Sequence, residues 1–183
     1  MMRVRFALLA LALSAFGSSG AVAACPAERA VYRLKADRAY SAALVPARHH
    51  ASSVSRLYLR VSSRDRSWWF IFGATHGYGG LFVEPVTDPT ASAAADAGPD
   101  KLLKGDAQPL AFYPLTKALD LLDVAPQPTK DAPEAFFIPQ LGSTLWYSPA
   151  DLSGDTNAKA EAMPRSLFVR VACQARAHAP AYP

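Results

Sequence analysis

Apolar and polar positions alternate with a period of two through much of the chain, the spacing of half-buried strands. The pattern is densest from Arg56 to Val86. Leu57, Leu59 and Val61 fall on one side there, with Tyr58 and Arg60 on the other. A polar break from Ser62 to Ser67, with Asp65 at its middle, suits a hairpin loop. In the next run Trp68, Phe70 and Phe72 share one face and Trp69 and Ile71 the other. A strand apolar on both faces is expected to be central and covered on both sides. Four glycines between Gly73 and Gly80 permit positive φ or close backbone approach. Leu81 to Val83 then resume the sheet until Pro85 withdraws a backbone donor. The stretch predicts a three-strand meander on which the remaining strands pack.

The flanking segments follow the same logic. Ala30 to Ala36 opposes Tyr32 and Leu34 to Arg33 and Lys35, an amphipathic strand. Tyr40 to Val45 is a weaker strand ended by Pro46, and the polar stretch from Ala47 to Ser55 carries His49 and His50 as a loop. Thr87 to Asp100 reads as a surface loop, and Asp100 to Gly105 as a single helical turn stopped by glycine. Leu110 to Leu115 is a strand. Thr116 to Asp123 fits either a short helix with Thr116 as N-cap or a continuation of that strand. Ala125 to Pro133, with three prolines, is a connector. Ala135 to Ile138 and Thr144 to Tyr147 are expected to form a hairpin, and Asp151 to Pro164 one or two helical turns. Leu167, Val169 and Val171 alternate with Phe168 and Arg170 in a last strand that delivers Cys173. The pattern predicts an all-β fold, a small β-sandwich or barrel of eight or nine short strands with one or two short helices.

Met1 to Ala24 changes the picture. Arg3 and Arg5 precede an apolar run from Ala7 to Phe16, and Gly17 to Ala24 is a stretch of small residues containing Ala21-Val22-Ala23. That is the layout of an export signal, and its apolar core is shorter than the ~20 residues a spanning helix needs. The expected organisation is a signal over 1–24, one β-rich domain over 25–176 and a flexible tail over 177–183. An exported chain with two cysteines near the ends of its domain invites a Cys25–Cys173 disulfide. Val22-Ala23-Ala24-Cys25 also loosely fits a lipobox, which would instead make Cys25 the lipidated first residue of a membrane-tethered protein. The long small-residue spacer and the lack of leucine favour the disulfide.

Charge is nearly balanced once the signal is set aside, the formal +4 falling to +2 without Arg3 and Arg5. Its distribution is uneven: Cys25 to Arg66 holds nine Lys/Arg against three Asp/Glu, and Ser67 to Pro183 eight against twelve. A basic half could meet an anionic envelope component or polysaccharide. Interleaving of strands from the two halves would mix the charges, and this is the favoured expectation. No nucleic-acid motif or compact basic helix is present, which argues against that partner class. Arginine outnumbers lysine thirteen to six in an alanine-rich chain, a composition of GC-rich bacterial genomes.

Candidate chemistry is sparse. His49, His50 and His76 lack the spacing of a metal site, and adjacent strand residues point to opposite faces. The Gly-x-Ser-x-Gly elbow of hydrolases is absent, and Asp120 and Asp123 fit a solvated face. The glycine loop around His76 leads into a strand, whereas phosphate loops open a helix. No metal or cofactor is expected. Trp68, His76 and Tyr78 are the candidate ligand-binding residues, since aromatic faces beside polar groups suit sugars and peptides; filling the core is the competing role for the tryptophan. The sequence therefore points to an exported, periplasmic or secreted β-domain with a binding or structural role in the bacterial envelope. A small periplasmic hydrolase built on His76 or His49/His50 is the alternative.

Overall fold

Among the described residues eight strands pair in chain order, and the last returns to the first, closing an antiparallel barrel. This is a computed structural model, which describes residues 24–76, 79–91 and 107–181. The strands are β1 (Ala30–Leu34), β2 (Ser41–Pro46), β3 (Leu57–Ser62), β4 (Ser67–Ala74), β5 (Leu81–Val86), β6 (Leu110–Leu115), β7 (Ala135–Phe137) and β8 (Phe168–Cys173). Two short helices, α1 (Leu141–Tyr147) and α2 (Pro149–Ser153), lie between β7 and β8. The predicted meander is β3–β4–β5, and the all-β barrel is the observed class. The stretch read as an export signal, apart from Ala24, lies outside the described residues, as do Tyr78 and the turn expected at Asp100 to Gly105.

Strand alternation decides what enters the lumen. Tyr32, Leu34, Leu44, Leu57, Leu59, Phe70, Phe72, Val83, Phe112, Phe136 and Phe168 are all buried in one cluster, every second residue of its strand. An eight-stranded barrel has an interior just wide enough for side chains to fill. Phe136 on three-residue β7 is the hub of that filling. Its ring stands 4.9 Å from Tyr32, 5.3 Å from Phe112 and 5.0 Å from Phe168, and Phe72 meets Phe112 at 5.1 Å. The Tyr32 hydroxyl, sealed among them, donates to the Pro133 carbonyl at 2.9 Å, and burial holds it protonated well above the usual phenol range. Arg170 and Glu134 form an ion pair beside the β7–β8 seam.

Both ends are stoppered. At the end of the β1–β2 and β3–β4 turns, Leu141, Leu145, Leu152 and Met163 join the lumen cluster. Arg66 pairs with Glu161 at 2.5 Å, and the Tyr40 hydroxyl donates to the Ala162 carbonyl at 3.1 Å. Burial first, and then Glu161, push the Tyr40 hydroxyl up to about 12. At the opposite end, the β6–β7 connection folds across the mouth. Ser55 donates to the Pro126 carbonyl at 2.5 Å, Gln127 donates to the Val54 carbonyl at 2.6 Å, and Ala125 and Ala132 enter the core.

Four expectations are corrected. Thr144–Tyr147 is helix, not strand: Leu141 and Leu145 lie four residues apart and plug the barrel, while Ser143 and Thr144 hydroxyls bond back to the Gln140 carbonyl. Thr116–Asp123 is neither helix nor strand but a tight turn, with Leu119 at φ 69° and Leu115 bridged to Leu121. The strands of the two halves do not interleave, because pairing in chain order keeps β1, β2 and β3 adjacent, with Arg33 and Arg60 as their only charged residues. Nor is the segment after Cys173 a free tail as far as Ala181. The Gln174 and His178 amides donate to the Arg29 and Glu28 carbonyls at 2.8 and 3.1 Å, and Ala181 is buried.

Cys25 and Cys173 are joined, with Cα atoms 5.8 Å apart across 148 residues of chain. The bond ties the lead into β1 to the end of β8 and consumes the sulfur that a lipid anchor would use. Replacing both cysteines by serine is expected to lower unfolding free energy by about 2–5 kcal/mol, read as an earlier urea midpoint. An unchanged midpoint would mean the β1–β8 seam holds without the clasp.

His178 makes the docked segment sensitive to acid. Burial and the nearby Arg60 cation lower its pKa below the usual histidine value of 6.5, against a weaker upward pull from the Ala30 backbone. A folded-state pKa below the unfolded one gives stability that is intact above 6.5 and declines as pH falls from there through the folded value. Urea midpoints should therefore drop across that window more steeply in the native chain than in His178→Gln. Parallel profiles would remove His178 as the cause.

Candidate functional site

A barrel with a packed lumen has only its rims and outer faces to offer a ligand. Three hollows surround the end crossed by the β6–β7 connection, and all three are lined by Ala74 at the end of β4. The first, of about 790 Å³, is walled by His50, Ser53, Arg56 and Glu84 and floored by Ile71 and Phe82. The second, of about 550 Å³, is mainly apolar, with Leu81, Pro114, Leu122, Val124 and Pro126. The third, of about 1050 Å³, runs past Phe82, Ala111 and Tyr113 to Leu121.

Phe82 lines both the first and the third hollow. Outward on β5, it pairs across the sheet with Gly73 of β4. A Cβ on Gly73 would fall 2.1 Å from the Phe82 ring, so the ring lies flat over the glycine. This is an aromatic covering a bare stretch of strand, and it leaves Phe82 half-exposed. Tyr113 on β6 is 40% exposed, while Leu119, Leu121 and Val124 stand out on the turn beyond it at 64, 60 and 72%. Leucine at positive φ is a strained choice. Its hydroxyl-braced turn maintains it: the Asp120 amide donates to Thr116 Oγ1 at 3.1 Å and the Leu119 amide to the Thr116 carbonyl at 3.1 Å.

The predicted site residues do not converge. Trp68 is 3% exposed and points into the core with Arg66 over its ring at 5.5 Å, so it shows no face to a ligand. Alternation puts it inside, where a ring of that size fills space. His76 is exposed beyond the opposite end of β4, about 26 Å from Trp68 by strand rise. Tyr78 lies outside the described residues. His76 follows Thr75, whose amide and hydroxyl both donate to the Gly80 carbonyl at 3.2 Å. Gly80 sits at φ 53°, and a Cβ on Gly79 would strike Thr75, which accounts for glycine at both places. His49 and His50 are exposed on the β2–β3 loop, and among the described residues no three His, Cys, Asp or Glu side chains assemble as a metal-holding group. Phe82 was missed by the sequence reading. Its signal was an aromatic placed to pair with a strand glycine.

Comparison with known protein families, characterised proteins and solved structures finds no match to this chain.

The Phe82–Gly73 contact is open to a double-mutant cycle. Gly73→Ala forces the ring aside and should cost about 1–3 kcal/mol in the native background. The same change should be close to neutral beside Phe82→Ala. Equal costs in both backgrounds would show that the ring does not rest on the glycine.

Proposed function

We propose that this protein is a non-catalytic binding domain of the bacterial envelope, exported to an oxidising compartment, whose rim takes a segment of envelope polysaccharide. The half-exposed Phe82 ring carries the reading: an aromatic side chain is set between a hollow lined by hydroxyls, His50 and Arg56 and another leading to Tyr113. A pyranose ring offers an apolar face to an aromatic and hydroxyls to polar neighbours, and binding sites of this type combine apolar walls with a few placed polar groups. Three joined hollows suit several sugar units better than one small molecule. Arg56, with the exposed Arg48 close in sequence, favours acidic sugars. The disulfide is consistent with a compartment outside the cytoplasm.

Titration of soluble envelope glycan fractions into the native chain should give saturable binding. Phe82→Ala should weaken it about tenfold, and Tyr113→Ala less. Trp146→Ala, at an exposed aromatic on the far end of the barrel, should leave it unchanged. Melting curves separate lost binding from lost fold. If no fraction binds, or if Phe82→Ala binds as the native chain does, the rim is not the site.

A further inference from the structure

The segment after the disulfide crosses the outside of the barrel and is held almost entirely by main chain. The Ala181 amide donates to the Pro46 carbonyl at 2.7 Å and the Arg48 amide to the Ala181 carbonyl at 2.9 Å, a parallel bridge at Ala47. Residues 174–177 and 179–180 are exposed, and only the Ala181 methyl is buried, at 1% exposure. It sits on a floor of Ala43, Val45, Ala47, Ala51, Tyr58 and Trp69. One methyl anchors weakly, on the order of 1 kcal/mol.

That floor is unsatisfied. Among the described residues three buried side-chain polar atoms lack a hydrogen-bond partner: Tyr58 Oη, Trp69 Nε1 and His178 Nε2. Two belong to the floor and the third to the segment lying over it. Tyr58 is 0% and Trp69 3% exposed, so water does not serve them readily. The indole N–H can only donate, and the Arg60 guanidinium lies 5.5 Å from the centre of the same ring. The indole N–H needs an acceptor and the Tyr58 hydroxyl can donate to the same group, so beside the Arg60 guanidinium a carboxylate serves best. The resident segment brings none, reading Gln-Ala-Arg-Ala-His-Ala-Pro-Ala from Gln174 to Ala181. Its own His178 instead lies near the Arg60 cation of β3.

We propose that the outer face of β2, β3 and β4 under this segment is a second recognition site. It takes an extended peptide of a partner protein with a small side chain in the Ala181 position and a carboxylate beside it. The chain's own C-terminal segment is a displaceable occupant that occupies the backbone positions and the methyl pocket but leaves the donors unpaired. Strand addition of this kind draws affinity from main-chain bonds and selectivity from the pocket and its charge. The site is separate from the glycan rim and stands without it.

The test uses full-length chain with Ala181→Arg, which the small pocket cannot hold, and two synthetic peptides. One has the sequence of residues 174–181 and the other adds an aspartate after the final alanine, both amidated at the C-terminus. The Arg48 amide should lose its protection in the variant. The acidic peptide should restore it, shift the Trp69 indole N–H resonance downfield, and bind at least tenfold tighter than the plain one. The native chain should bind the acidic peptide more weakly than the variant, because its own segment competes. Trp69→Phe covers the case in which Ala181→Arg perturbs the fold. It removes one donor and should weaken the acidic peptide about fivefold without lowering the melting temperature. Equal affinity of the two peptides, or a swapped dimer on sizing columns, would overturn the acidic-partner reading in favour of exchange between copies. Failure of both peptides, or an unmoved indole resonance, would overturn the site.

Discussion

The pairing of β1 with β8 is the contact on which the other features depend. Ala30 to Leu34 run antiparallel to Phe168 to Cys173, with one register shift near Val31 and Tyr32. Without that seam the eight strands would be an open sheet with β1 and β8 as two bare edges. Three interactions converge on it. Phe136 packs Tyr32 from β1 and Phe168 from β8 within about one ring width of itself. Glu134 and Arg170 bridge β7 to β8 on the outside. The Cys25–Cys173 bond joins the two chain ends covalently. The ring cluster supplies the enthalpy of close packing, while the covalent clasp acts chiefly on the unfolded chain by limiting its freedom.

Closure also decides where function can lie. The lumen is full of aromatic and aliphatic side chains, and stoppers at both ends complete the seal. Recognition is thereby moved to the outside, where the barrel leaves two features that stability does not explain. One is the rim, with an aromatic ring lying over a glycine and three leucine or valine side chains held out into solvent. The other is the face under residues 174–181, where two buried donors go unpaired. Unpaired buried donors and exposed apolar side chains both cost free energy, and their retention in an otherwise satisfied structure points to contacts with other molecules.

The meander from Leu57 to Val86 was legible because each strand alternates cleanly and Asp65 and the glycines punctuate it. Trp69 is instructive beside Trp68. Both are apolar and adjacent, and the period of two says they face opposite ways, but it cannot say which is the lumen. Trp68 enters the core, and Trp69 is covered by the β2–β3 loop and Ala181. The helix at Leu141–Tyr147 was misread since Thr-Leu-Trp-Tyr has strand propensity, and only the open barrel end beside it rewards turning Leu141 and Leu145 onto one side. The docked C-terminal segment had no local signal at all. A run of alanine and proline carries no amphipathic pattern, and its attachment is through backbone groups that every sequence has.

The sequence by itself determined the all-β class and the strand positions around the meander, and it favoured pairing of the two cysteines over a lipid anchor at Cys25. These follow from local alternation, turn chemistry and compartment. Tertiary structure alone decided that the sheet closes, that Ala181 is seated on the outer face of the barrel, and which donors are buried without partners. Each of those depends on register between segments far apart in the chain. Seating Ala181 over Tyr58 is set by the geometry of the assembled barrel, which no single stretch of residues encodes.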